Sequence, residues 1–178
     1  MKKRPASTAP ERTITFLREG AKPRLTTGRT RANILHTASS WEMRVDLGRK
    51  LQFPDMVQTT LRPDRVLWSA KDQKVILVEL TVPWEEGCDE AHERKVTKYQ
   101  QLAQDCRDQG WQTWVFPVEV GCRGFPARSA WHFLSAIGLD ERSKKLATRR
   151  MGEEAERASC WLWSRREEEC WKPGADGQ

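Results

Sequence analysis

The sequence predicts an α/β domain, and three observations lead there. Four stretches, near 41–47, 65–69, 74–82 and 114–120, alternate or run apolar as strands do. One of them, 74–82, has almost no polar face. Between it and the last strand, residues 88–109 change to helical spacing.

Residues 1–38 mix Pro5, Pro10, Pro23, Gly20 and Gly28 with many Ser, Thr and Arg, and read as a basic, flexible arm. The folded part, 39–168, opens with Trp41, Met43, Val45 and Leu47 alternating with Glu42, Arg44 and Asp46, the period-two pattern of a half-buried strand. Leu51 to Phe53 forms a second short extended piece before Pro54. Arg65 to Ser69 and Lys74 to Val82 are strands joined by the polar stretch Ala70-Lys71-Asp72-Gln73, which suits a hairpin. In the second of these, Val75, Ile76, Leu77, Val78, Leu80 and Val82 leave both faces apolar, so both need cover.

The helix at 88–109 places apolar residues at 88, 91, 96, 99, 102, 103 and 106, and Gly110 ends it. Trp114, Phe116, Val118 and Val120 give the last strand, stopped by Gly121. Two helices follow, near 129–137 and 141–166, the second burying Leu146, Met151, Ala155, Ala158 and Leu162. Residues 169–178, with Pro173 and Gly174, read as a frayed tail.

Composition narrows the function classes. The 178 residues are 38% hydrophobic and 31% charged, with a mean hydropathy of −0.76. Val75–Val78 is the longest aliphatic run, far short of a membrane span, and no apolar segment follows Lys2, Lys3 and Arg4 as a signal peptide requires. A soluble protein of the nucleus or cytoplasm is expected, with no membrane partner.

The net charge of +6 is local: residues 1–40 carry nine Lys and Arg against Glu11 and Glu19, a net of +7, while the rest carry 22 against 23. Such an arm attracts nucleic acid by neutralising phosphates, and equally serves as a solubilising tail. Five cysteines without a CxxC pair and three scattered histidines match no zinc pattern, so packed, reduced thiols are expected and no zinc.

The sharpest signal is a pair of acids. If Ser69 faces Lys74 across the hairpin, Asp64 lies opposite Glu79. Opposed like charges repel unless a cation lies between them, and Glu79 is the only ionisable side chain between Lys74 and Thr81. A few oxygen ligands completed by water suit Mg²⁺. A plain sheet-edge Asp beside a Glu paired with an Arg is the alternative.

On a helical wheel with Tyr99 as zero, the apolar stripe runs from roughly −80° to +60°. Lys95 falls inside it, near about −40°, and Lys98 at its border, near about −100°, where a lysine snorkels to the rim. Two acids and a lysine around Mg²⁺ provide what phosphodiester hydrolysis needs: charge stabilisation on the phosphate and an oriented water. Arg62, beside Asp64, and Arg123, with Gly124 in the loop after the last strand, are the candidate phosphate contacts, although an ordinary turn also accounts for the loop. Trp41, Trp114 and Trp161 stand at periodic positions that suggest core packing.

Arg-Pro-Asp (62–64), Glu-Leu-Thr-Val-Pro-Trp-Glu (79–85), Glu-Ala-His-Glu-Arg-Lys-Val-Thr-Lys-Tyr (90–99), Pro-Val-Glu-Val-Gly-Cys-Arg-Gly-Phe (117–125) and Trp-Leu-Trp (161–163) together resemble one family. It is the C-terminal, restriction-enzyme-like endonuclease domain of LINE-type (non-LTR) retrotransposon polyproteins, and the resemblance runs from about Thr13 to Arg166.

The resemblance implies the PD-(D/E)xK nuclease fold, a mixed sheet flanked by helices, here with a C-terminal helical extension. It implies a Mg²⁺-dependent DNA endonuclease, with Mn²⁺ as a substitute metal. Asp64 and Glu79 match the metal-binding acids. The motif's lysine position holds Thr81, and in this branch the lysine comes from the following helix, where Lys95 and Lys98 stand. The family's upstream Arg-His-Asn or Arg-His-Asp helix has no counterpart in residues 1–40, and the reverse transcriptase portion is absent from this chain. A catalytically inactive nucleic-acid-binding remnant of the same element is the alternative expectation.

Overall fold

A computed structural model describes residues 33–168; most of the basic arm and the whole of the 169–178 tail lie outside the described residues. Four strands, β1 (Glu42–Val45), β2 (Arg65–Ser69), β3 (Lys74–Thr81) and β4 (Gln112–Glu119), form one sheet in the order β1-β2-β3-β4. The first two pairings are antiparallel and β3 with β4 is parallel, so the sheet is mixed. Parallel pairing needs a long crossover. Helix α1 (Cys88–Asp108) supplies it, and α2 (Arg128–Ala136) and α3 (Glu141–Ser164) follow β4.

The hairpin register is the one the sequence predicts, Ser69 opposite Lys74 and Arg65 opposite Val78. Asp72 fastens the turn: its Oδ2 accepts from Ser69 Oγ, Ser39 N and Ser39 Oγ at 3.0, 2.8 and 2.9 Å. Side chains of β3 alternate between two cores, as a pleated strand requires. Val75 and Leu77 join Val66, Trp68, Tyr99, Leu102 and Cys106 under α1, whereas Ile76 and Val78 join Leu35, Leu67, Phe116, Val118 and Ala130 on the opposite face. Both faces are therefore covered over 75–78; beyond them Glu79 is still buried under α1, whereas Leu80 and Val82 are exposed. Helix α1 ends where expected, at Gly110 with φ +83°.

Five expectations need correction. Strand β1 exists, yet all four of its residues are exposed. Among the described strands it stands at the edge of the sheet beside β2, and its apolar alternation meets solvent on both sides. Leu51 is buried in the core under α1 without belonging to any strand. Residues 33–38, assigned to the arm, form a short 3-10 turn over Ile34–Thr37 that buries Leu35, and Lys74 Nζ donates to the Thr37 carbonyl. On α1, Val96 is exposed although it falls within the predicted stripe.

The fifth correction concerns α3, which buries Thr148, Gly152 and Ala155, while Leu146, Ala158, Trp161 and Leu162 are exposed. Its contact face is set by backbone approach. A Cβ on Gly152 would lie 2.3 Å from the Gly124 carbonyl oxygen, so the loop after β4 rests directly on the helix. Gly124, with φ +89°, thus serves packing on α3 in this structure. Among the described residues no helix is long and apolar enough to cross a membrane.

Candidate active site

The site forms where the β2–β3 ladder ends. Arg65 and Val78 are its last partners, which sets Asp64 and Glu79 at the next position. The two residues are linked through backbone amides. The Asp64 N–H donates to Glu79 Oε2 at 3.3 Å, and the Leu80 N–H donates to Asp64 Oδ2 at 2.6 Å.

Glu79 is 5% exposed, and a carboxylate so buried requires partners. Helix α1 provides them from one face. Lys95 Nζ lies 2.6 Å and Lys98 Nζ 3.2 Å from Glu79 Oε1, and the Tyr99 hydroxyl donates to Oε2 at 2.7 Å. The Lys95 side chain is 20% exposed and points inward; Lys98 is twice as exposed but still reaches the carboxylate, with its ammonium 4.7 Å from the Tyr99 ring centre.

These contacts set the acids apart electrically. Burial pushes the Glu79 carboxyl up, but hydrogen bonds from Lys95 and Tyr99, the Lys95 charge and the Lys98 bond outweigh it, leaving Glu79 below the ordinary range. Asp64 goes the other way. Burial raises it most, the Leu80 amide lowers it, the Glu79 charge raises it again, and the two lysines do not restore it. Tyr99 is raised, first by burial and then by its bond to Glu79, so its hydroxyl keeps its proton and remains a donor.

Of the residues the sequence singles out, Asp64, Glu79, Lys95 and Lys98 come together. Arg62 adjoins them through its carbonyl, which accepts from Tyr99 at 3.1 Å, while its guanidinium donates to the Arg49 carbonyl. Arg123 stands elsewhere, on the loop after β4. Its Nε lies 2.9 Å from Glu85 Oε2 and its amide donates to Glu85 Oε1 at 2.7 Å. Although burial opposes it, the Arg123 contacts hold the Glu85 carboxyl at about 2. Gly121 makes room for this pair, since a Cβ there would approach Glu85 Oε1 to 2.6 Å.

Sequence reasoning passes over two things. Tyr99 is taken only as the centre of the apolar stripe, yet a phenol there has to find a polar partner, and Glu79 is within its reach. Glu119 lies between Val118 and Val120 and bears the same mark that singles out Glu79, an ionisable group in an apolar strand. It is 1% exposed, with Oε2 accepting from Ser129 Oγ at 2.5 Å and 3.1 Å from His92 Nδ1.

A bound cation would find hard oxygen donors at Asp64 and Glu79. No group of three or more His, Cys, Asp or Glu side chains gathers into a metal site among the described residues, so the acids would supply two ligands and water or phosphate the others. That donor set fits Mg²⁺. Compared with known proteins, the sequence matches no family model and no curated protein.

Proposed function

We propose that this protein is a Mg²⁺-dependent DNA endonuclease domain derived from a non-LTR retrotransposon, built on a PD-(D/E)xK nuclease fold. One observation carries the reading: an acid pair at the end of a strand ladder, with a lysine ammonium 2.6 Å from one of its oxygens. Two carboxylates and an ammonium clustered beside an exposed strand end suit a phosphodiester better than they suit packing. The upward shift of Asp64 is in keeping with it: burial raises the carboxyl first, the Glu79 charge raises it further, and a bound cation would relieve that repulsion.

Asp64 and Glu79 would hold the metal, which when bound draws charge from the phosphate and acidifies a water. Lys95, already turned inward, is placed to hold a phosphate oxygen or orient the attacking water, and Lys98 sits at the rim, where a backbone phosphate approaches. Tyr99 keeps Glu79 in place from below. The +7 arm adds affinity for DNA of any sequence.

A second reading, a silent nucleic-acid-binding module from the same element, is favoured by the saturation of Glu79, whose two oxygens already engage Lys95, Lys98, Tyr99 and the Asp64 amide. Supercoiled plasmid separates the two. The nuclease converts it to open circles with Mg²⁺ and stops when the metal is chelated; the silent module binds it in a salt-dependent way and leaves it intact with Mg²⁺ or Mn²⁺.

A further inference from the structure

We propose that His92 is the general acid of strand cleavage, passing its Nε2 proton to the departing 3′-oxygen, with Glu119 and Ser129 as positioning residues; the proposal rests on the nuclease reading. Ser129 is tied to Glu119 twice, since its hydroxyl accepts from the Glu119 amide at 3.2 Å and donates to Oε2 at 2.5 Å. The same Oε2 lies 3.1 Å from His92 Nδ1. With the Ser129 hydroxyl already donating to Oε2, Nδ1 is placed as the ring nitrogen that donates to this carboxylate. Nε2, at the other end of a ring whose side chain is 41% exposed, is then the reactive atom. A buried carboxylate behind an imidazole fixes its tautomer and stabilises the imidazolium, as an acid catalyst needs.

Position supports this chemistry. Register partners share a face of the sheet. Glu79 pairs with Pro117 and Thr81 with Glu119, so both buried acids face α1. Thr81 stands opposite Glu119 and two residues beyond Glu79, and His92 precedes Lys95 by three residues, close to one helical turn. Among the described residues Thr81 Oγ1 and Glu119 Oε1 find no hydrogen-bond partner although both are buried, a costly arrangement to keep for packing alone. His92 also opens onto a cavity of about 420 Å³ between α1 and α2, walled by Val96, Val115, Phe116 and Pro117. That volume is in the range that takes a small ligand, and the nucleoside on the leaving side would occupy it.

The step balances. Water attacks phosphorus, the P–O3′ bond breaks with its electron pair on the 3′-oxygen, and that oxygen takes the His92 proton. The attacking water releases its own proton to solvent, from which His92 is reprotonated. A 5′-phosphate and a 3′-hydroxyl result.

The test uses the full chain with Mg²⁺ and a linear duplex prepared with either oxygen or sulfur at the 3′-bridging position. A thiolate leaves without a proton. His92→Gln should cleave the oxygen duplex about 10²- to 10⁴-fold more slowly yet recover to near the wild-type rate on the sulfur duplex, with an unchanged melting temperature. Glu119→Gln should show the same rescue. Equal losses on both duplexes, or no loss, would overturn the role of His92 while the nuclease reading stands. A wild type that cleaves neither duplex overturns both.

Discussion

Replacing Tyr99 with Phe removes one oxygen from a fully buried side chain and leaves its ring in place. The hydroxyl lies 2.7 Å from Glu79 Oε2 and 3.1 Å from the Arg62 carbonyl oxygen, and its single proton belongs to the nearer, charged acceptor. Without it, the partner left to Oε2 among the described residues is the Asp64 amide at 3.3 Å. A hydrogen bond to a buried charge contributes about 1.5–3 kcal/mol. At ordinary urea slopes, Tyr99→Phe should therefore lower the unfolding midpoint by roughly 1 M at pH 7.

The sign with pH follows from the direction of the shift. Glu79 is held below its ordinary value of 4.5, so its contacts stabilise the fold above that pH and are lost as pH falls through the lowered folded value. Asp64, held above 3.8, acts oppositely: its ionisation costs stability at neutral pH, and protonation in acid relieves the cost. The Asp64 effect is common to both proteins and cancels in the difference between them. The Tyr99→Phe penalty should thus be full at pH 7 and shrink in acid. A penalty under about 0.5 kcal/mol at pH 7, or one of the same size in acid, would refute this account of Glu79.

Gly152→Ala, ordinarily stabilising within a helix by about 1 kcal/mol, should destabilise here. The new methyl would lie 2.3 Å from a backbone oxygen of Gly124; a higher melting temperature than wild type would contradict this packing. Arg123→Ala should let the Glu85 carboxyl climb from about 2 part of the way to its ordinary value of 4.5, because the backbone amide of residue 123 still donates. Carbon-detected NMR titration reads that shift, and an unmoved midpoint would rule the pair out as its cause.

What the sequence makes legible is whatever depends on local pattern. The polar stretch between Ser69 and Lys74 is enough to set the register, and from the register comes the placement of Asp64 beside Glu79. Wheel position alone turns Lys95 inward, and the structure brings it to Glu79. The same method fails at Val96, because a wheel assumes cover over the whole stripe and Val96 faces the cavity beside β4 instead.

Strand β1 and helix α3 fail for a related reason. Alternation in β1 reports apolar content, whereas burial depends on a layer stacked over the face, and all four β1 residues are exposed. In α3 the contact is set by two glycines, Gly124 and Gly152, which carry no hydrophobic signal at all. Glu119 was legible in principle, but its partners His92 and Ser129 come from two different helices, and no spacing rule joins them.

The central claim, that the acids beside Lys95 cleave DNA, is tested most directly by plasmid nicking with wild type and Asp64→Ala purified side by side in Mg²⁺. Asp64 is only half-buried and lies outside the strands, so its removal should leave the fold intact. Nicking by the wild type with loss of about 10²-fold or more in the variant is the predicted result. Equal nicking by the two proteins, or none by either, would contradict it.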